Sequence, residues 1–349
     1  MFRLSKGSGN YAYVVAKVKA KKSLLLKEED YDKMLMMTVP EISRYISEAG
    51  YSKEMTDLAT RLSGLNLLEH ATYLNMSKAF SIILTASKGE LYDMVYAYLN
   101  KWDIWNLKVI LRGKSYGVDV ESIREDLVIA GKLHADALEK LIAFDSEDDI
   151  IANYGKMTQV NFPQDILAAY KANGNLAVIE DFLDKMYYER LLISINQSSR
   201  PSLLFYEYIR EEVDMKNFET ILKLKAEGIY GEPVMKFLIS GGKRIDDKML
   251  TAFANAEDIN SLLSEVSQLK FGEEIKEALE AKDVRGVVLG LRKYEREKAK
   301  KFSRLYPLSV IPVVDYMINK EYEVRNIRAI ARGTESGLER ETIKGLLVI

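Results

Sequence analysis

Three stretches of this chain repeat one pattern around an asparagine, and that repeat restricts the possible folds more than any other feature. The first contains Asp103, Asn106, Ile110 and Arg112, the second Asp214, Asn217, Ile221 and Lys223, the third Glu323, Asn326, Ile330 and Arg332. Each has an acid three residues before the asparagine, an isoleucine four after it and a base six after it. A glycine follows at eleven (Gly117, Gly228, Gly337), a glutamate at fifteen (Glu121, Glu232, Glu341) and Ile123, Val234 or Ile343 at seventeen. The two intervals between the asparagines are nearly equal. Upstream, Asp149-Ile150 and Asp258-Ile259, Gln159 and Gln268, Phe162 and Phe271, and Ala169 and Ala278 all repeat at the interval that separates Asn217 from Asn326. Glu41-Ile42 reads as the matching start of the first copy.

A period this long far exceeds that of a two-helix solenoid repeat, so each copy is expected to be a domain with its own core. The sequence predicts three similar domains, 1–133, 134–243 and 244–349. Their content is expected to be all-α. Prolines number only 6, good helix formers abound, and apolar residues recur three and four apart, as in residues 66–86 and 175–195. No series of β-branched strands separated by turns competes. About twenty helices are expected, broken at glycine-containing turns such as 63–64, 88–89, 173–174 and 241–242.

The repeated residues have a physical reading. The acid suits an N-cap or first turn, and the base six after the asparagine suits the last turn of the helix. Asparagine and isoleucine share a face, and the glycine permits a left-handed exit. Asn106, Asn217 and Asn326, with Gly117, Gly228 and Gly337, thus read as a structural signature in which a buried amide bonds a loop. A polar role at a partner surface is the alternative, because Arg112 and Arg332 each precede a glycine.

Chemistry is harder to find. The chain has no Cys and 2 His, which removes thiol catalysis, disulfides and most zinc sites. His70 and His134 show no ligand spacing, and no Walker A, Rossmann glycine or nucleophile-elbow motif occurs. No catalytic residue, cofactor or metal is expected. No stretch nears the roughly 20 apolar residues that span a bilayer, and the opening residues are not expected to form a signal peptide. The net charge of -2 hides local runs: residues 1–22 hold Arg3, Lys6, Lys17, Lys19, Lys21 and Lys22 with no acid, and residues 291–304 are also basic. Residues 134–150 are acidic. Such runs suit solvated faces or docking to acidic protein partners; no nucleic-acid signature accompanies them.

Three stretches carry a family resemblance: YAYVVAKVKA over 11–20, NLKVILRGK over 106–114, and above all EVRNIRAIARG over 323–333, followed by Gly337-Leu338 and the closing Leu347-Val348-Ile349. The chain resembles the C subunit of archaeal and bacterial V/A-type rotary ATPases, which is related to the d subunit of the eukaryotic vacuolar pump. The resemblance runs essentially the full length. It implies three helical domains in a pseudo-threefold funnel around a central socket. It also implies a non-catalytic rotor component that couples the membrane proteolipid ring to the central-stalk shaft, which the D and F subunits form. Ion-driven ATP synthesis or ATP-driven pumping would pass through it at the cytoplasmic face of the membrane. Lys17, Lys19, Arg112, Arg328 and Arg332 are the implied interface candidates. Lys17 and Lys19 stand where the family commonly has Arg, and Lys223-Leu224 replaces Arg-Gly in the second copy. A helical-repeat scaffold for an unrelated acidic protein is the main rival reading, and an all-helical lyase or hydrolase using carboxylates is the second.

Overall fold

The computed structural model describes residues 9–349 except 257, 259 and 263–274. Arg3, Lys6, Ile259, Gln268 and Phe271, named above, therefore lie outside the described residues. The protein is all-α: 75% is helical and no strand occurs among the described residues. Helix starts follow local chemistry. Asp119, Ser146, Ser199 and Asp246 each accept a backbone N–H three residues on, satisfying a donor that the first helical turn leaves open. Gly117, Gly228 and Gly337, with φ of 66°, 78° and 69°, turn the chain out of its helix in a conformation that a Cβ disfavours.

In chain order the helices are α1 (Tyr11–Lys22), α2 (Glu28–Met34), α3 (Val39–Ile46), α4 (Ser52–Leu58), α5 (Gly64–Ala86) and α6 (Gly89–Leu99). Then come α7 (Lys101–Ser115), α8 (Val120–Glu125), α9 (Ala135–Ile142), α10 (Glu147–Thr158), α11 (Gln164–Asn173) and α12 (Leu176–Ser194). Further on lie α13 (Arg200–Ala226), α14 (Glu232–Met235), α15 (Asp247–Asn255), α16 (Lys276–Glu280), α17 (Val284–Leu305), α18 (Ile311–Glu335) and α19 (Arg340–Lys344). The chain gathers into two compact units, Met1–Asp184 with Asn319–Leu347, and Lys185–Ile318 with Val348–Ile349.

In the first unit α5 packs on α1, α3, α4 and α6, and α7 packs on α6, α8, α9 and α10. The face of α7 that turns inward carries Asp103, Asn106, Leu107, Ile110 and Leu111, a three-and-four spacing that lines one side of a helix. In the second unit α13 packs on α15 and α17. Its Phe218, Ile221 and Leu222 share a core with Val234, Leu238, Leu250, Phe253, Val287 and Leu291. The asparagine-bearing helices α7 and α13 thus each pack on helices that come later in the chain.

The Arg-Gly pairs of the outer copies have a packing cause. A Cβ on Gly113 would meet Ile123 Cγ1 at 2.5 Å, and one on Gly333 would meet Ile343 Cγ1 at 2.6 Å. Both isoleucines are fully buried in the short helix after the turn, and the missing Cβ lets that helix close onto its predecessor. The second copy fills the equivalent space with Leu224 opposite the smaller Val234. Gly113→Ala should cost about 1–3 kcal/mol through overpacking, and adding Ile123→Ala should recover part of that loss. Equilibrium denaturation of the single and double variants checks this; additive losses would contradict it.

Candidate functional site: the asparagine helices and their carboxylate-held joints

The acid of each repeat is buried and accepts backbone N–H groups from a distant segment. Asp103, 0% exposed, accepts Lys132 N at 2.7 Å and Leu133 N at 2.9 Å. Asp214, also 0% exposed, accepts Lys243 N at 3.1 Å, Arg244 N at 2.8 Å and Ile245 N at 3.2 Å. Glu323 accepts Leu26 N at 2.6 Å, the Tyr51 hydroxyl at 2.5 Å and Lys320 Nζ at 2.7 Å. Leu26, Leu133 and Ile245 each stand just before the residue that opens a helix, respectively α2, α9 and α15. The acid is therefore a joint between an asparagine helix and the segment leading into another. Only Asp103 lies in a first turn; Asp214 and Glu323 sit in the middle of α13 and α18, because those helices begin well before the repeated pattern.

Glycine makes room for the joint. A Cβ on Gly131 would collide with Asp103 Oδ1, and one on Gly242 would collide with Asp214 Oδ1. Each glycine follows its acid by the same number of positions. Burial pushes the Asp103 carboxyl up to about 6, against the lowering effect of the Leu133 and Lys132 N–H groups. Burial also raises Asp214, against its own backbone donors.

One turn along the same face, Asn106 clamps a loop. Its Nδ2 donates to Val128 O at 2.9 Å and its Oδ1 accepts Val128 N at 2.8 Å. Asn217 does the same with Ile239, at 2.7 and 2.8 Å. Each amide satisfies both polar groups of one buried residue, which would otherwise be left unpaired away from water. Asn326 is likewise buried.

The outward side of these helices carries ion pairs at recurring positions. Arg112 grips Glu180 with two hydrogen bonds, its Nε at 2.6 Å and its Nη2 closer still. Arg332 grips Glu69 in the same two-pronged way, with Nη2 at 2.9 Å. Glu69 and Glu180 are separated by the interval that separates Asn106 from Asn217. Two residues after the asparagine, Lys108 pairs with Asp184 at 2.5 Å, Glu219 with Arg292 at 3.0 Å, and Arg328 lies 3.8 Å from the Tyr73 ring centroid. The helix starts align the partners: Asn175 and Asp283 each accept the N–H two residues on, and each follows a residue with left-handed φ, Gly174 and Lys282. By that alignment Arg292 matches Asp184, and Val288 replaces Glu180.

The five interface candidates are thus spread over three helices. Lys19 is exposed and Lys17 half-buried on α1. Arg112 and Arg332 keep 54% and 59% of their side chains exposed while paired, and Arg328, only 11% exposed, lies against Tyr73 with Nη2 at 3.5 Å from Glu69. Arg328 and Arg332 are brought together on Glu69; Arg112 is held separately by Glu180. Glu69, Glu180, Gly131, Tyr51 and Lys320 escaped the sequence reading, and Gly242 figures there only as a helix break, although the two glutamates and the two glycines each repeat at the Asn106–Asn217 interval. His134 precedes α9, and His70 places Nδ1 3.0 Å from Glu125 O. Among the described residues no group of three metal-capable side chains converges.

The fold and these joints define an all-helical repeat protein whose recurring polar residues bind its own segments. The model of the ATP synthase (C/AC39) subunit family matches residues 14–346, and the chain belongs to that family. It is a non-catalytic subunit of a rotary ATP synthase complex. Relatives named as the C subunit of A-type ATP synthase include one from Methanococcoides burtonii, 35% identical over 99% of this chain and 96% of the relative. One from Methanosarcina acetivorans is 36% identical over 99% and 94%, and one from Halobacterium salinarum 32% identical over 98% and 99%.

Two measurements test the clamp. Asn106→Ala and Asn217→Ala each strand a buried N–H and C=O, and each should lower stability by about 1–3 kcal/mol in equilibrium denaturation. The pH dependence of Asp103 has a definite sign. Its folded value lies above the ordinary carboxylate value, so the folded chain holds the proton more tightly. Its stabilising contribution is full below about pH 4 and is lost as pH rises to about 6. Asp103→Asn should remove that part of the stability-against-pH slope; an unchanged slope would contradict the assignment.

Proposed function

We propose that this chain is the spacer of the rotor: it seats the central-stalk shaft, formed by the D and F subunits, on one side and rests on the membrane proteolipid ring on the other, at the cytoplasmic face. The observation that carries this reading is the family match over nearly the whole chain. Two further features support it. Among the described residues no helix is long and apolar enough to cross a membrane, as suits a subunit that rests on a ring rather than joining it. The recurring polar residues also hold this chain's own segments, which suits a part that carries force. The three-domain organisation read from the long repeat, arranged as a funnel, belongs to the same proposal.

Arg112 and Arg332 are the better-placed shaft contacts. Each is fixed from behind by a carboxylate and keeps more than half of its side chain exposed, so its charge is presented without the cost of ordering a free side chain. Lys17 and Lys19 would add charge from α1, and Arg328 would position Arg332 through their shared Glu69. Such contacts favour an acidic face on the shaft and a binding strength that falls with salt.

Reversing Arg332 alone would place a third carboxylate beside Glu69 and Asp126, so folding and binding would be confounded. Arg332→Gln removes the exposed charge and leaves Glu69 to Arg328, whose Nη2 lies 3.5 Å from it. Together with Lys17→Glu and Lys19→Glu, it should weaken binding of the purified D–F shaft at least ~tenfold, or about 1.4 kcal/mol. Unchanged affinity in a correctly folded variant would remove these residues from the interface. Failure of the unaltered chain to bind the shaft at all would remove the spacer role.

A further inference from the structure

The three joints are chemically alike and differ in how the chain connects their two sides. At the first, Asp103 and its amides at Lys132 and Leu133 are 29 and 30 residues apart; at the second, Asp214 and its amides are 29 to 31 apart. At the third, Glu323 and the Leu26 amide are 297 residues apart. A short covalent link holds the first two joints near registry even when their hydrogen bonds break. The probability that a flexible chain brings its ends together falls as roughly the 3/2 power of its length, so a tenfold longer connection lowers it about thirty-fold. The folded helices between Leu26 and Glu323 reduce that penalty without supplying a local tether.

The third joint carries further bonds of its own. Lys320, six residues before Asn326, bonds both Glu323 and the Tyr51 hydroxyl and lies 4.3 Å from the centroid of the Tyr51 ring. The matching residues are Asn100 and Glu211, and Glu211 is bound to Lys243 and Lys298 rather than to the acid of its own joint. Lys344 on α19 pairs with Asp32 on α2 at 2.7 Å, and Arg332 grips Glu69, so three points along α18 and α19 tie onto α2 and α5 and the turn between α3 and α4.

We infer that α18 and α19 form a clasp that completes the N-terminal copy from the far end of the chain, and that the Leu26–Glu323 joint is the one at which the fold opens and the last to form. The proposal stands on the observed bonds and on chain connectivity, independently of the rotor reading. It also implies that the helices around Leu26 and Tyr51 remain without their buried carboxylate during synthesis until residues beyond 323 are available.

The test compares three equivalent amides in the full chain. Native-state hydrogen exchange at Leu26, Leu133 and Ile245, corrected for intrinsic rates, should run at least about tenfold faster at Leu26. Because the chain has no Cys, Asp32→Cys and Lys344→Cys can be joined selectively with a short bismaleimide. The cross-link should bring Leu26 exchange down to the range of the other two. Glu323→Gln should speed exchange at Leu26 and leave Leu133 unchanged. If Leu26 exchanges no faster than both equivalents, the inference is overturned. If its exchange stays fast in the cross-linked chain, the cause is local fraying of the turn before α2 and the inference is equally overturned. Should Glu323→Gln fail to fold, the cross-link comparison decides the matter in the otherwise unaltered sequence.

Discussion

A buried carboxylate that accepts backbone N–H groups is the interaction around which the chain is organised. The segment leading into a helix brings N–H groups that the helix itself cannot satisfy, and inside a protein these need an acceptor. Asp103 and Asp214 each take two or three of them at once. One turn further on, Asn106 and Asn217 take both polar groups of Val128 and Ile239. Two side chains on one helical face thereby fix an irregular stretch of some six residues, and the helix cannot slide or rotate without losing several bonds together. The glycines at 131 and 242 follow from this, since any Cβ there would displace the carboxylate.

The outward pairs show that position is the constraint and charge sign is adjustable. Lys108–Asp184 and Glu219–Arg292 place opposite charges the opposite way round at equivalent positions, and Arg328 meets the face of Tyr73 instead. Each solution gives a cation a partner at one site between an asparagine helix and a long helix. The fork is less adaptable. A guanidinium matches a carboxylate with two parallel bonds, and an ammonium cannot reproduce that geometry. In the second copy Lys223 and Val288 stand at the fork's positions, and Leu224 stands where the outer copies have glycine, so the whole corner is built differently.

Periodicity made the helices legible, because three-and-four spacing reports the buried face directly, as Asp103, Asn106, Leu107 and Ile110 illustrate. The equal offsets marked the repeated residues for the same reason: they are one-dimensional facts. What each residue touches is set by distance in space. Nothing local to Glu323 indicates that its acceptor role is filled from Leu26, and nothing around Glu69 indicates Arg332 across 263 residues. The mid-helix place of Asp214 and Glu323 was hidden too. The pattern that begins α7 is embedded in the longer helices α13 and α18, whose earlier turns carry no residue common to all three copies.

The number of buried charges in a non-catalytic subunit has a physical reason apart from stability. Replacing a buried ion pair by apolar groups is often neutral or stabilising, so Lys320 with Glu323, or Lys298 with Glu211, need not be retained for the sake of free energy. An apolar interface alone holds its partners together without fixing their register, since neighbouring alignments bury similar area. A carboxylate bonded to particular N–H groups has one alignment, and displacement by a single residue strands both sides. On the proposed rotor reading, where a twisting load would act on the joints between helices, that directionality is what resists slip. Apolar cores of the kind built around Phe218 and Leu250 would supply cohesion, and the carboxylate and asparagine clamps would supply the shear resistance that cohesion alone lacks.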